Sequence, residues 1–241
     1  MQARVLEPLL EGGAFFEAPR WHEGRWWVSD FYRHAVYTVS AEGTEEPVLE
    51  VEHQPSGLGW LPDGSLLVVS MKDQRVLRRD PDGNVGVHAE LGTFTDSPLN
   101  DMVVDGPGRA WVGCFGFDLM AFADPQLAPL MRIDPDGTAT IAAEGLMFPN
   151  GSVITPDGNT LIVGETAGCR YTAFRIAPGG AIVEEIPTPE GLGCYACALG
   201  GDDGRTLLVC AAPDFLEANR RQAREAVLLT ATVDVPHAGL P

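Results

Sequence analysis

The sequence predicts an all-β protein, a β-propeller of five four-stranded blades in a single domain over residues 1–241. Three observations carry this. Turn signals recur between short apolar segments, the stretches between them hold two more strand-like segments, and the period is about 40–50 residues, that of a propeller blade.

The hairpins come first. "PRWHEGRWWV", "WLPDGSLLVV", "VVDGPGRAWV", "ITPDGNTLIV" and "LGGDDGRTLLV" each join an apolar segment, an Asp/Gly-type turn and a second apolar segment. That is a hairpin signature. The hairpins align without gaps when their first strands begin at Glu17, Ser56, Asn100, Asn150 and Tyr195, at intervals of 39, 44, 50 and 45 residues.

Outer strands follow each hairpin. "HAVYTVS", "QRVLRRD", "LMRIDPDG" and "RYTAFRIA" lead through turns to "EEPVLEVE", "VGVHAEL", "TATIAAEGL" and "AIVEEIP". The fifth repeat has one later strand, "AVLLTATVDV", and no fourth. The N-terminal "ARVLEPLLEG" is expected to supply it and seal the ring, which leaves no unpaired blade edge. Two segments break the period: residues 213–229 have helical composition, and residues 114–130 are a long apolar insertion. Each is either a cover over the site or local packing over a blade edge.

Geometry turns the repeat into a site. The first strand of each blade runs along the central channel, so Glu17, Ser56, Asn100, Asn150 and Tyr195 are expected to form a ring at one mouth. None is apolar, although each heads an otherwise apolar strand. The loops after the second strands share that face and carry Asp30, Asp73, Asp118, Glu165 and Asp214. Glu and Asn side chains offer the oxygen donors that a hard cation takes. Glu17, Asn100 and Asn150 are therefore the expected ligands of one divalent ion, Ca²⁺ first, with Zn²⁺, Mn²⁺ or Mg²⁺ as alternatives. With only one carboxylate such an ion stays strongly Lewis acidic, able to polarise a carbonyl or phosphoryl oxygen and to acidify a bound water. Ser56, Asn100 and Tyr195 are expected to contact substrate. Turn capping is the competing reading of the asparagines.

Composition narrows the partners. A net charge of −18 repels a phosphate backbone, so no nucleic acid is expected, and a small-molecule substrate is. No apolar run is long enough to span a membrane and the N-terminus lacks a signal peptide pattern, so a cytoplasmic protein without membrane contact is expected. The five cysteines are an odd number. Cys194 and Cys197 have the CxxC spacing, but in a strand they point to opposite faces, so buried thiols are expected rather than a metal or redox pair.

"FFEAPRWHEGRWWVSDFYRHAVYTV", "LNDMVVDGPGRAWVG" and "FPNGSVITPDGNTLIVGET" resemble the SMP-30/gluconolactonase/LRE family over nearly the whole chain. The resemblance implies a six-bladed propeller that binds one divalent cation and hydrolyses sugar lactones. It assigns Glu17 of Glu-Ala-Pro and Asn150 of Pro-Asn-Gly to the metal, and Asn100 of Asn-Asp to substrate or metal. Three features depart from the family. The late Pro-Asp-Gly that carries a further metal ligand and base is missing, as if one blade were absent, and Tyr195 stands at its ring position. Pro98 replaces an Arg that often precedes the Asn-Asp of sugar lactonases by two residues. A five-bladed ring would also be narrower. The expected activity is hydrolysis of a lactone or related ester by metal-bound water, with Asp30, Asp73, Asp118 and Glu165 as candidate bases and His34 behind them. His22 belongs near the hairpin turns of the opposite face. The alternative is a catalytically impaired ligand- or metal-binding propeller descended from a lactonase.

Overall fold

In Pro-Asp-Gly the Asp carboxylate can take the N–H two residues on, and the glycine can adopt the left-handed backbone that closes the turn. Both occur. Asp63 accepts the Ser65 N–H, Asp136 that of Thr138 and Asp157 that of Asn159, at 2.9–3.0 Å. Gly64 has φ 84°. The N–H of Ser65 and of Thr138 holds the Asp63 and Asp136 carboxyls below their usual range. The Thr155 hydroxyl, with the Asn159 N–H, does so for Asp157.

The fold was obtained as a computed structural model, which describes residues 10, 13–119, 121, 123–155, 157–176, 182–200, 206–213 and 227–232. Among them nineteen strands form five antiparallel sheets, each a simple meander. The first sheet holds β1 (Phe16–His22), β2 (Arg25–Asp30), β3 (Ala35–Val39) and β4 (Glu45–Glu50). The second holds β5 (Pro55–Trp60), β6 (Leu66–Ser70), β7 (Arg75–Arg79) and β8 (Val85–Glu90). The third holds β9 (Leu99–Val104), β10 (Ala110–Cys114), β11 (Ala128–Ile133) and β12 (Ala139–Leu146). The fourth holds β13 (Pro149–Ile154), β14 (Thr160–Glu165), β15 (Arg170–Arg175) and β16 (Ile182–Pro187). A fifth sheet has three strands, β17 (Gly193–Gly200), β18 (Thr206–Ala212) and β19 (Val227–Thr232).

The first strands of successive sheets pack on one another in the order β1, β5, β9, β13, β17, as the innermost strands of a propeller do. Apolar side chains fill the seams between blades. Ala18, Val36, Val51, Leu58, Leu66 and Val68 join the first two blades. A larger cluster around Leu67, Leu99, Met102, Val112, Met131 and Phe148 joins the second and third. Val103, Trp111, Leu130, Leu161, Val163 and Phe174 join the third and fourth.

Four blades thus have the expected four strands, and the fifth sheet has three among the described residues. Its expected fourth strand, in residues 3–12, lies outside the described residues except for Leu10. Residues 214–226 of the expected helix also lie outside them, and Val227–Leu229 at its end belong instead to β19, paired with Leu229↔Val209 and Val227↔Ala211. In the insertion, Phe115 and Phe117 turn inward onto Phe148, with ring centroids at 4.6 and 5.7 Å. That end of the insertion is packed against the start of the fourth blade.

Candidate active site

All five innermost strands carry a β-bulge at or beside the expected ring position: Ser56, Asn100 and Asn150 lie within theirs, whereas Glu17 is the last paired residue before the bulge of the first blade. In the first four blades three steps along the innermost strand face two along its partner: Glu17 to Arg20, Pro55 to Leu58, Leu99 to Met102 and Pro149 to Ser152. In β17 the bulge lies between Cys194 and Ala196, at Tyr195. A bulge interrupts the alternation of side chains and re-aims the extra residue, which is how a polar side chain heads an apolar strand. A second repeated feature sets the register. The residue after each second strand donates its N–H to the carbonyl two residues before the ring position: Phe31 to Phe15, Met71 to Gln54, Phe115 to Pro98 and Thr166 to Phe148, at 2.9–3.1 Å.

Contacts link the ring members across blades. Asn100, buried, donates from Nδ2 to the Pro149 carbonyl at 3.1 Å, reaching the residue before Asn150. That approach needs Gly113: a Cβ there would stand 2.6 Å from the same Pro149 oxygen. Asn150 donates from Nδ2 to Thr166 Oγ1 at 3.0 Å. With both amide nitrogens engaged by the protein, each Asn Oδ1 is the other arm of its planar amide and takes no part in that bond. Ser56 is 1% exposed, and its carbonyl accepts the Ser29 hydroxyl at 2.6 Å. Tyr195 occupies the ring by backbone position; its side chain is outside the described residues.

Glu17 is partly buried beside the bulge, next to Ala18, whose φ of 48° is a strained value for a residue with a Cβ. Burial, helped by the negative charge of Asp101, pushes the Glu17 carboxyl up to about 7. The Ala18 N–H, at 3.2 Å from Oε2, and Arg20 pull the other way. A half-desolvated carboxylate facing a second acid is a place that favours a cation. The donor set of one carboxylate and two amide oxygens fits a hard divalent ion, which Glu17, Asn100 and Asn150 would hold. Among the described residues no group of three or more His, Cys, Asp or Glu side chains could hold a metal by itself.

The expectation that the mouth-loop carboxylates sit at equivalent places is corrected. The loops 31–34, 71–74 and 166–169 are the same four-residue turn, ending at His34, Gln74 and Cys169 with φ of 56°, 51° and 51°. In that frame Asp30 matches Ser70 and Glu165, and Asp73 matches Arg33 and Gly168. Asp30 and Glu165 are both 0% exposed. Asp30 accepts the N–H groups of Ala14, Phe15 and Arg33 at 2.8–3.2 Å. Glu165 accepts the Met147 N–H, the Arg170 guanidinium and the Thr172 hydroxyl. Both tie a loop to the start of its innermost strand. Asp73 is held by Ser70 Oγ and approached by Arg75. Asp118 is exposed and takes the Ala121 N–H on Oδ1 at 3.0 Å. Asp214 is outside the described residues. His34 bonds the Glu52 carbonyl through Nδ1 at 2.7 Å, and His22 stacks on Trp60 with centroids 3.9 Å apart.

Three participants were missed in the sequence: Asp101, Arg20 and Thr166. Asp101 is 9% exposed, next to Asn100 in the bulge, and bridged by Arg20. Strict alternation would have turned Asp101 away from the mouth. The bulge removes that rule, and the Asn-Asp pair was the available signal.

The four-stranded meanders and the order in which their innermost strands pack define a β-propeller. The chain belongs to the SMP-30/gluconolactonase/LRE-like family, whose region it matches over residues 15–177. It is 30% identical over 166 residues to the pentonolactonase XacC of Haloferax volcanii, an alignment covering 67% of this chain and 52% of that protein. The chain thus spans about half the length of that curated relative. Among solved structures it resembles the gluconolactonase XC5397 of Xanthomonas campestris, with TM-score 0.66, 22% identity, and coverage of 95% of this chain and 78% of the other. It likewise resembles the calcium-binding protein regucalcin from Agrobacterium tumefaciens, with TM-score 0.62, 17% identity, and coverage of 95% and 93%. At these identities the structural likeness speaks for the fold.

Proposed function

We propose that the chain is a divalent-metal-dependent hydrolase of a lactone or related ester, acting at the mouth of a five-bladed ring. The observation that supports this is the set of strand starts: Glu17, Asn100 and Asn150 stand at or beside the bulges of their innermost strands, with both amides oriented by protein acceptors. The family match and the lactonase named among the relatives supply the reaction class. A divalent ion, Ca²⁺ in the favoured reading, supplies Lewis acidity toward a carbonyl oxygen.

The protein's own groups do the rest. Glu17 provides the negative charge that retains the ion, and the Asn100 and Asn150 oxygens complete the set without adding charge. Ser56 and Tyr195 hold the remaining ring positions by backbone register and are proposed to contact substrate. Asp118 and Asp73 are the mouth carboxylates nearest to solvent and are proposed to receive the proton of the attacking water, Asp118 first because one of its oxygens carries no bond to the chain among those described. Asp30 and Glu165 are assigned to loop fastening instead.

A second reading, a cation- or ligand-binding propeller without hydrolysis, is favoured by Tyr195 at the ring position where the family's further Asp is expected. One experiment separates the two. EDTA-treated protein is assayed on a panel of sugar lactones, simple lactones and aryl esters, with Ca²⁺, Zn²⁺, Mn²⁺ or Mg²⁺ restored singly. Metal-dependent turnover abolished by Glu17→Gln supports the hydrolase. No metal-dependent turnover on any substrate, with Glu17-dependent cation binding intact, leaves the binding protein.

A further inference from the structure

Arg20 lies three residues along β1 from Glu17, and its side chain reaches β9. Its NH2 donates to Asp101 Oδ1 at 2.9 Å and to the Met102 carbonyl at 2.8 Å, both on β9, while NH1 donates to the Pro19 carbonyl at 2.9 Å. Strands β1 and β9 are not neighbours; β5 lies between them and packs on each. The guanidinium therefore joins the first and third blades directly. The pair is well shielded, with 14% of the Arg20 side chain and 10% of the Asp101 side chain exposed. Asp101 Oδ1 also accepts the Met102 N–H at 2.8 Å, so the same oxygen has two donors.

Asp101 follows Asn100 on the bulge and lies close enough for Glu17 to feel its charge. A buried carboxylate beside Glu17 and two amide oxygens has the chemistry of a further cation ligand, and affinity for Ca²⁺ rises with the number of charged ligands. What sets Asp101 apart is that a fixed positive charge already occupies it. Arg has no accessible neutral form, so this charge does not leave with pH.

We propose that Arg20 is the resident counter-cation of the mouth. It holds Asp101 away from a divalent ion, keeps the site at one available carboxylate, Glu17, and so sets the affinity of the site low. This inference rests on the reading that Glu17, Asn100 and Asn150 bind a divalent cation. It concerns the affinity of that site and assigns Arg20 a positioning role, not contact with substrate.

The test is cation binding by the full chain without substrate, using calorimetry with Ca²⁺ and sensitised luminescence with Tb³⁺. Arg20→Gln removes the charge but keeps a donor for the Met102 carbonyl; Arg20→Met removes both; Arg20→Lys keeps the charge. Thermal melts show which variants fold, and Gln stands in for Met if Met does not. The neutral variants are expected to bind Ca²⁺ at least about tenfold more tightly than wild type, the gain expected from a second charged ligand. Lys should stay near wild type. Adding Asp101→Asn to Arg20→Gln should remove the gain. Binding by Arg20→Gln alone, with wild type too weak to measure, supports the proposal too. If wild type binds through Glu17 while Arg20→Gln binds equally or more weakly, Arg20 is a structural strut and the proposal falls, with the cation reading intact. If no variant binds either ion, both fall.

Discussion

Burial and the neighbouring Asp101 raise the Glu17 carboxyl to about 7, and the sign of its effect on stability follows. Below pH of about 4.5 the group is protonated in folded and unfolded chains alike and costs nothing. Between about 4.5 and 7 the unfolded chain releases the proton first, so the cation-free protein loses stability as pH rises. The loss from this group is at most about 3 kcal/mol, complete above pH 7. Urea denaturation in EDTA at pH 5 and pH 8 should show this drop in wild type and a smaller one in Glu17→Gln; equal drops would refute the assignment. A saturating cation should remove the difference by holding Glu17 ionised. Thr166 offers a second residue-scale test. It fixes the Asn150 amide by accepting from Nδ2. Thr166→Val should weaken cation binding by about 10-fold, as loss of an orienting partner does, with the melting temperature little changed.

The innermost strand, its bulge and the loop that returns to it form one unit, and loop fastening decides where the bulge points. Glu165 serves three donors from beneath that loop in the fourth blade. Glu165→Ala leaves those donors unpaired and should cost about 3 kcal/mol, measured by denaturant unfolding. A base acting on substrate would instead lose rate with stability nearly unchanged. Gly113→Ala is expected to push the Pro149 carbonyl from the third blade, costing about 1–3 kcal/mol and loosening the Asn100 contact. Hairpins and outer strands were readable at this scale, because turn chemistry and apolar runs are local. The carboxylates were not. "SDFYRH", "SMKDQ" and "GETAG" each carry an acid, yet only the folded turn shows that Asp30 and Glu165 coincide and that Asp73 stands three places later. An acid buried under backbone N–H groups looks the same in sequence as one facing solvent.

At the scale of the whole molecule, stability is concentrated in the seams between blades. Leu99 is 0% exposed in the large seam between the second and third blades, whereas Trp26 on the first blade is 39% exposed. Leu99→Ala should cost about 2–5 kcal/mol and Trp26→Ala much less, despite the larger side chain removed. Comparable losses would mean that the outer aromatic face of the first blade is packed in solution. The sequence by itself determined the repeat and the blade content of the first four repeats, since period and turn residues are written along the chain. Only the tertiary structure decided what surrounds the expected ring positions. The bulge brought Asp101 to the mouth, the close approach at Gly113 tied Asn100 to the next blade, and Arg20 met a carboxylate 81 residues away on a strand that is not its neighbour. Such pairings depend on how blades stack around an axis, and no local pattern encodes that.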